Sequence, residues 1–96
     1  MIPLFKVFMA PEAQHRVADV LASGYVGQGQ QVEAFEGALQ QLLETTQPPI
    51  TTNSCTSAID LALHLIGVGP GDAVITTPMT CTATNSPIVT RGARAI

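Results

Sequence analysis

The chain has 96 residues, one domain at most, and is 46% hydrophobic against 11% charged. Four Lys and Arg against seven Asp and Glu give a net charge of −3, no electrostatic footprint for nucleic acid or an anionic membrane, and both are excluded as partners. A chain this short cannot bury so much apolar surface by itself, so it reads as part of something larger.

In chain order, residues 2–9 form an apolar extended arm. Pro3 and Lys6 interrupt it, it is too short for a signal peptide, and no run approaches the length of a membrane span. The cytoplasm is the default compartment. Pro11 suits the first turn of a helix and Glu12 suits its positive end. Val17, Val20 and Leu21 then recur at i, i+3 and i+4. Ser23-Gly24 closes this helix, Gly24 being the expected left-handed residue. Tyr25-Val26-Gly27-Gln28-Gly29-Gln30 has two glycines and no hydrophobic period, which predicts an irregular loop. Such a loop is most simply a connector, and it is also a place where backbone approaches a ligand or partner. A second amphipathic helix puts Val32, Phe35, Leu39 and Leu42 on one face and Glu33, Glu36 and Gln40 on another, with Gly37 weakening it slightly. It stops before Pro48-Pro49, and the Glu33 and Glu36 pair reads as a solvated face.

A strand is predicted from Pro49 or Ile50, breaking at Asn53 into the polar run Asn53-Ser54-Cys55-Thr56-Ser57. The helix that follows is apolar nearly all round, with only Asp60 and His64 polar, and such a helix is expected to be buried nearly all round. Gly67 closes it, and Pro70-Gly71 fits the central positions of a type II turn. Ala73-Val74-Ile75-Thr76-Thr77 is a β-branched strand stopped by Pro78. Residues 80–89 read as a loop and helix in which Pro87 demands a late start or a kink, and Ala93-Arg94-Ala95-Ile96 is strand-like. Three β-runs separated by helical crossovers predict an α/β layered fold with parallel strands. Ligands in such folds bind outside the carboxyl ends of strands, so residues 53–57 and 78–82 are expected on one sheet edge, lining one site.

The polar run admits two readings from its residues alone. Asn53, Ser54, Thr56 and Ser57 are ordinary helix-capping residues. The same unpaired N–H groups, hydroxyls and helix dipole are also the equipment for holding a phosphate. There is no GxxxxGK[ST] and no GxGxxG, so neither a Walker site nor a dinucleotide fingerprint is present, which leaves a compact cofactor as the phosphate's owner. Cys55 sits where a helix N-terminus lowers a thiol pKa, but no histidine is placed as its base, and small-residue packing is the favoured reading. Cys55 and Cys81 have neither CxxC spacing nor further cysteines, which argues against zinc or a disulfide framework and for a reducing compartment. Asp60 and His64, at i and i+4, read as a pair on the helix's polar strip.

Taken together, Ile2-Pro3-Leu4, Ser23-Gly24-Tyr25, Val32 with Phe35-Glu36, Asn53-Ser54-Cys55-Thr56-Ser57-Ala58 and Gly67-Val68-Gly69-Pro70-Gly71-Asp72 occur in the order seen in one family. The sequence resembles the N-terminal part of the DegT/DnrJ/EryC1/StrS sugar aminotransferases, pyridoxal-phosphate enzymes of fold type I, over essentially its whole length. The resemblance implies a partial three-layer α/β sandwich. Residues 1–48 would hold the arm and two amphipathic helices, and residues 49–96 the start of the cofactor-binding large domain. It implies transfer of an amino group, usually from glutamate, to a nucleotide-linked keto-sugar by a homodimer. It places Thr56 and Ser57, with Cys55 in the usual glycine position, at the phosphate of pyridoxal 5'-phosphate, and Cys81 where an aromatic residue usually stacks on the pyridine ring. Tyr25 would reach substrate or the partner subunit.

The chemistry also needs a Schiff-base lysine, and a carboxylate that keeps the pyridine nitrogen protonated. The family supplies both beyond the length of this chain, and Lys6 matches neither, so no catalytic residue is assigned and the chain alone is expected to be inactive. A pyridoxal-phosphate sugar dehydratase, which uses the same cup, is the related enzyme reading. A truncated, non-catalytic binding module is the reading from another class. The family's first strand pairs with a strand outside this stretch, so an open sheet edge and an exposed apolar helix face are expected here.

Overall fold

The computed structural model describes residues 2–96. Four helices and two short strands follow the arm: α1 (Ala13–Ala22), α2 (Gln30–Leu43), α3 (Cys55–Leu65), β1 (Ala73–Val74), α4 (Thr82–Thr90) and β2 (Arg94–Ala95). The strands pair in parallel, Ala73 opposite Arg94 and Val74 opposite Ala95. Bonds from Arg94 N to Asp72 O, Ile96 N to Val74 O and Thr76 N to Ile96 O, each 2.9 Å, carry the ladder a little further. The architecture is α/β, with α4 as the crossover between parallel neighbours.

The core is small and lies where α3 and α4 pack together over this ladder. Leu63, Ile88 and Ala93 are buried, with Ile59, Val68 and Val74 against them. Each packed helix is closed in the same way. Val68 N donates to Leu63 O (2.9 Å) and Gly67 N to His64 O (3.0 Å), with Gly67 at φ 80°. At the end of α4, Ala93 N donates to Ile88 O (3.2 Å) and Gly92 N to Val89 O (2.9 Å), with Gly92 at φ 75°. These are Schellman closures, and the residue just past each glycine turns back onto the apolar side chain it is bonded to, Val68 on Leu63 and Ala93 on Ile88. The Pro70-Gly71 turn forms as expected, Gly71 at φ 96° and Asp72 N bonded to Gly69 O at 3.1 Å.

Two expectations fail. The strand at Ile50 does not form, because a strand exists only through its ladder and, among the described residues, no other strand lies beside this segment. Ile50 stays 72% exposed, and Thr51 turns its N–H to a side chain instead. α3 is not buried all round: Leu63 is its one buried residue, while Leu65 and Ile66 are 70% and 75% exposed. α4 covers only one of its faces, so an apolar periphery predicts burial only where a second layer exists. α2 stops before the prolines as expected, ending at Leu43, where Glu44 takes the left-handed conformation (φ 52°) and turns the chain. The open edge and exposed apolar helix face implied by the family resemblance are both present. α1, α2 and the arm stand away from the α3–α4 unit. The radius of gyration is accordingly 17.6 Å, where a compact domain of this length has about 12 Å.

Glu36 corrects another expectation, since it is no idle member of a solvated face. Its Oε1 accepts from Thr51 N (2.8 Å) and Thr51 Oγ1 (2.7 Å), tying the 50–52 segment to α2. The Thr51 N–H, followed by the hydroxyl, holds the carboxyl below its ordinary 4.5. The folded pKa is therefore below the unfolded one. This tether is at full strength above about pH 4.5 and is lost as the pH falls through the lowered folded value. The expected result is that the Thr51 amide resonance titrates in that acid window and that Glu36→Gln removes the transition, both read by NMR.

Candidate functional site at the start of helix α3

The first turn of α3 is built by Ser54. With φ −160° and ψ 156° it stands outside the helix, and its Oγ accepts from Ser57 N at 3.1 Å. Ser57 Oγ donates to Asn53 Oδ1 (2.9 Å) and lies 2.9 Å from Ser54 Oγ, while Thr52 Oγ1 donates to Ser54 O (2.8 Å). The hydroxyl-rich run thus caps its helix, which is the ordinary use of such residues. The cap leaves something over. Ala58 N is bonded to Ser54 O and Ser57 N to the cap, but the N–H groups of Cys55 and Thr56 have no partner among the described residues, and neither does Thr56 Oγ1. Two free N–H groups and a free hydroxyl at the positive end of an 11-residue helix form an anion-binding set. Cys55 is the first helical residue and its φ is not positive, so the backbone here does not require glycine.

Thr56 and Ser57 also line a cleft of about 290 Å³ with Asp60 of α3 and Ser86, Pro87 and Thr90 of α4. Asp60 and His64, one and two turns further along α3, both meet Arg91 at the end of α4. The helices therefore run side by side in the same direction. The expected Asp60–His64 pair is thus a three-membered cluster. Sequence spacing could find two of its members on one helix face, but Arg91 lies 31 residues from Asp60 and carried no signal.

Pro87 lies inside α4 and is buried. It lacks the N–H that Ala83 O would accept, yet its own carbonyl takes Arg91 N (3.2 Å) and Thr90 Oγ1 (3.0 Å). Ser86 Oγ donates to Thr82 O at 2.9 Å across the same turn.

The remaining predicted residues are not gathered in this cleft. Cys81 caps α4 with an exposed thiol and no side-chain capping bond, and Cys55 is also exposed and free. The loop before Cys81 is held by Thr76 Oγ1 donating to Asn85 Oδ1 (2.6 Å), with Thr80 and Thr84 hydroxyls 2.9 Å apart beyond it. Tyr25 belongs to a separate, larger cleft of about 580 Å³, whose walls include Asp19, Val20, Gln28, Gln30 and Glu33. Its hydroxyl donates to Gln28 O (2.7 Å), folding the ring over its own loop. A Cβ at Gly29 would lie 2.7 Å from the ring's Cε1, so the glycine is what lets Tyr25 lie there. No described helix is long and apolar enough to cross a membrane.

Known proteins share this sequence and fold. Over 95 residues the chain is 34% identical to the spore coat polysaccharide biosynthesis protein SpsC of Bacillus subtilis, covering 99% of this chain and 24% of that protein. Over 97 residues it is 33% identical to a UDP-4-amino-4-deoxy-L-arabinose–oxoglutarate aminotransferase of Shewanella sediminis, with the same 99% and 24% coverage. Among solved structures it superposes on the putative sugar aminotransferase Spr1654 of Streptococcus pneumoniae, in both its PLP- and PMP-forms, with a TM-score of 0.88 at 34% identity, covering 99% of this chain and 24% of that one. The chain thus spans about a quarter of the length of the relatives it matches. Residues 8–96 match the DegT/DnrJ/EryC1/StrS aminotransferase family, and the chain belongs to that family.

Proposed function

We propose that this chain supplies the cofactor-phosphate end of a pyridoxal-phosphate-dependent sugar aminotransferase. The observation that carries the reading is the pair of unpartnered N–H groups at Cys55 and Thr56, with the free Thr56 hydroxyl beside them. These donors fit a phosphate: they lie together at a helix N-terminus, and Asp60, the one carboxylate lining the same cleft, is paired with Arg91. The Thr56 hydroxyl and the Cys55 and Thr56 amides hold the phosphate. Ser57 has its N–H and hydroxyl engaged by Ser54 and Asn53, so it shapes the cup from behind. Cys81, on the exposed start of α4, covers a face of the pyridine ring as a soft apolar contact. Tyr25 and its glycine loop reach substrate or a second subunit.

When bound, the cofactor supplies the electron sink that amino-group transfer requires. This chain's part is to bind and orient it; the lysine and the carboxylate that complete the site come from further sequence, and the chain alone is inactive. The acceptor is a nucleotide-linked keto-sugar, the donor glutamate and the working form a cytoplasmic homodimer. The names of the Shewanella and Streptococcus relatives support the sugar and aminotransferase parts of this reading.

In the complete enzyme, Thr56→Ala is expected to weaken pyridoxal phosphate binding by about tenfold to a hundredfold, the worth of one hydrogen bond to a charged acceptor. Absorbance titration of the apoenzyme measures it, and an unchanged dissociation constant overturns the assignment of Thr56.

A further inference from the structure

We propose that Arg91 is a positioning residue for the phosphate end of α3, an inference that rests on the cofactor reading above. Thr56, Asp60 and His64 are spaced i, i+4 and i+8, so they form one stripe along α3. A single guanidinium holds two of the three. Arg91 Nε donates to Asp60 Oδ1 (3.0 Å) and to the Asp60 carbonyl (3.1 Å), Nη2 donates to Asp60 Oδ2 (3.2 Å), and Nη1 donates to His64 Nδ1 (2.9 Å), which places the imidazole proton on Nε2. Arg91 is largely covered, at 22% side-chain exposure, and is itself fixed by the closure of α4.

The buried part of the α3–α4 contact is apolar, Ile59 and Leu63 around Ile88 with Val68 beside them, and apolar contact sets distance better than rotation. The forked pairing is directional. It fixes how far α3 is turned about its own axis, and Thr56 turns with it. A rotation of 20° moves a helix Cα by roughly 0.8 Å, and a side-chain hydroxyl by more, enough to spoil a hydrogen bond to a phosphate oxygen. Arg91 is not itself a phosphate ligand, since its guanidinium is already held by Asp60 and His64.

The experiment compares pyridoxal phosphate with pyridoxal, which lacks the phosphate, by fluorescence titration of the complete apoenzyme. Arg91→Met is expected to raise the dissociation constant for pyridoxal phosphate about three- to thirtyfold and to leave that for pyridoxal unchanged. Asp60→Asn, which keeps the side-chain shape, gives a loss of the same kind. Arg91→Lys does not restore binding, because one ammonium cannot span both Asp60 oxygens and His64. Combined with Thr56→Ala, Arg91→Met adds less than its separate effect, as expected if it acts through Thr56. Equal weakening of both ligands, or a lowered melting temperature with the phosphate preference intact, overturns the positioning role. If Thr56→Ala also leaves the phosphate preference intact, the cofactor reading fails along with it.

Discussion

Replacing Ile88 with alanine is expected to cost about 3 kcal/mol of stability in any polypeptide that carries this chain, read as a lowered urea midpoint with little change in slope. Ile88 is 3% exposed, the most enclosed of the three core residues, and it is where α3, α4 and the ladder meet. Removing three of its carbons leaves a cavity that its neighbours cannot close. Ile59, Val68 and Val74 are only partly buried, and Leu63 and Ala93 are pinned by the two helix closures. Val89, the next residue, is 65% exposed, so Val89→Ala is the control and is expected to stay within about 0.5 kcal/mol. Equal losses at the two positions would mean that the stabilising contacts lie elsewhere.

Gly92→Ala is expected to have the next largest effect. At φ 75° an alanine is disfavoured by roughly 1–2 kcal/mol, as a left-handed residue with a Cβ. Its Cβ would also lie 3.1 Å from Pro70 Cγ, on a ring that can yield only by a change of pucker. Gly67→Ala, at φ 80° with open space around it, carries the backbone penalty alone. The expected order of melting temperatures is wild type, then Gly67→Ala, then Gly92→Ala, and the last gap isolates the Pro70 contact.

Local chemistry was legible in the residues and pairing over distance was not. The left-handed positions at Gly24 and Gly67 and the turn at Pro70-Gly71 were readable, because each is decided within a few residues by what glycine and proline permit. The capping use of Asn53 to Ser57 was readable for the same reason, as was its second use for an anion. The failures share a cause. Ile50 has strand propensity and no strand beside it, α3 is apolar on faces that nothing covers, and Glu36 meets Thr51 fifteen positions away. Arg91 is the sharpest case. Nothing in its sequence position marks it, and its role comes from lying beside Asp60 in space. Within the candidate site, residues contributed by one helix turn could be anticipated, and the cleft wall from Ser86 to Thr90 needed the α3–α4 packing.

The parallel ladder has a consequence for how the chain comes to be folded. Ala73 and Arg94 are 21 positions apart, and the core residues lie within 34 positions of one another, from Ile59 to Ala93. Closing loops of that size is entropically mild, so this unit can assemble on the ribosome as soon as its last strand has emerged. Ile75 and Ile96 at the ladder's end lie open to the water, 86% and 61% exposed. A unit that forms this readily therefore presents its unpaired edge as soon as it folds, and at high concentration two copies can join there edge to edge.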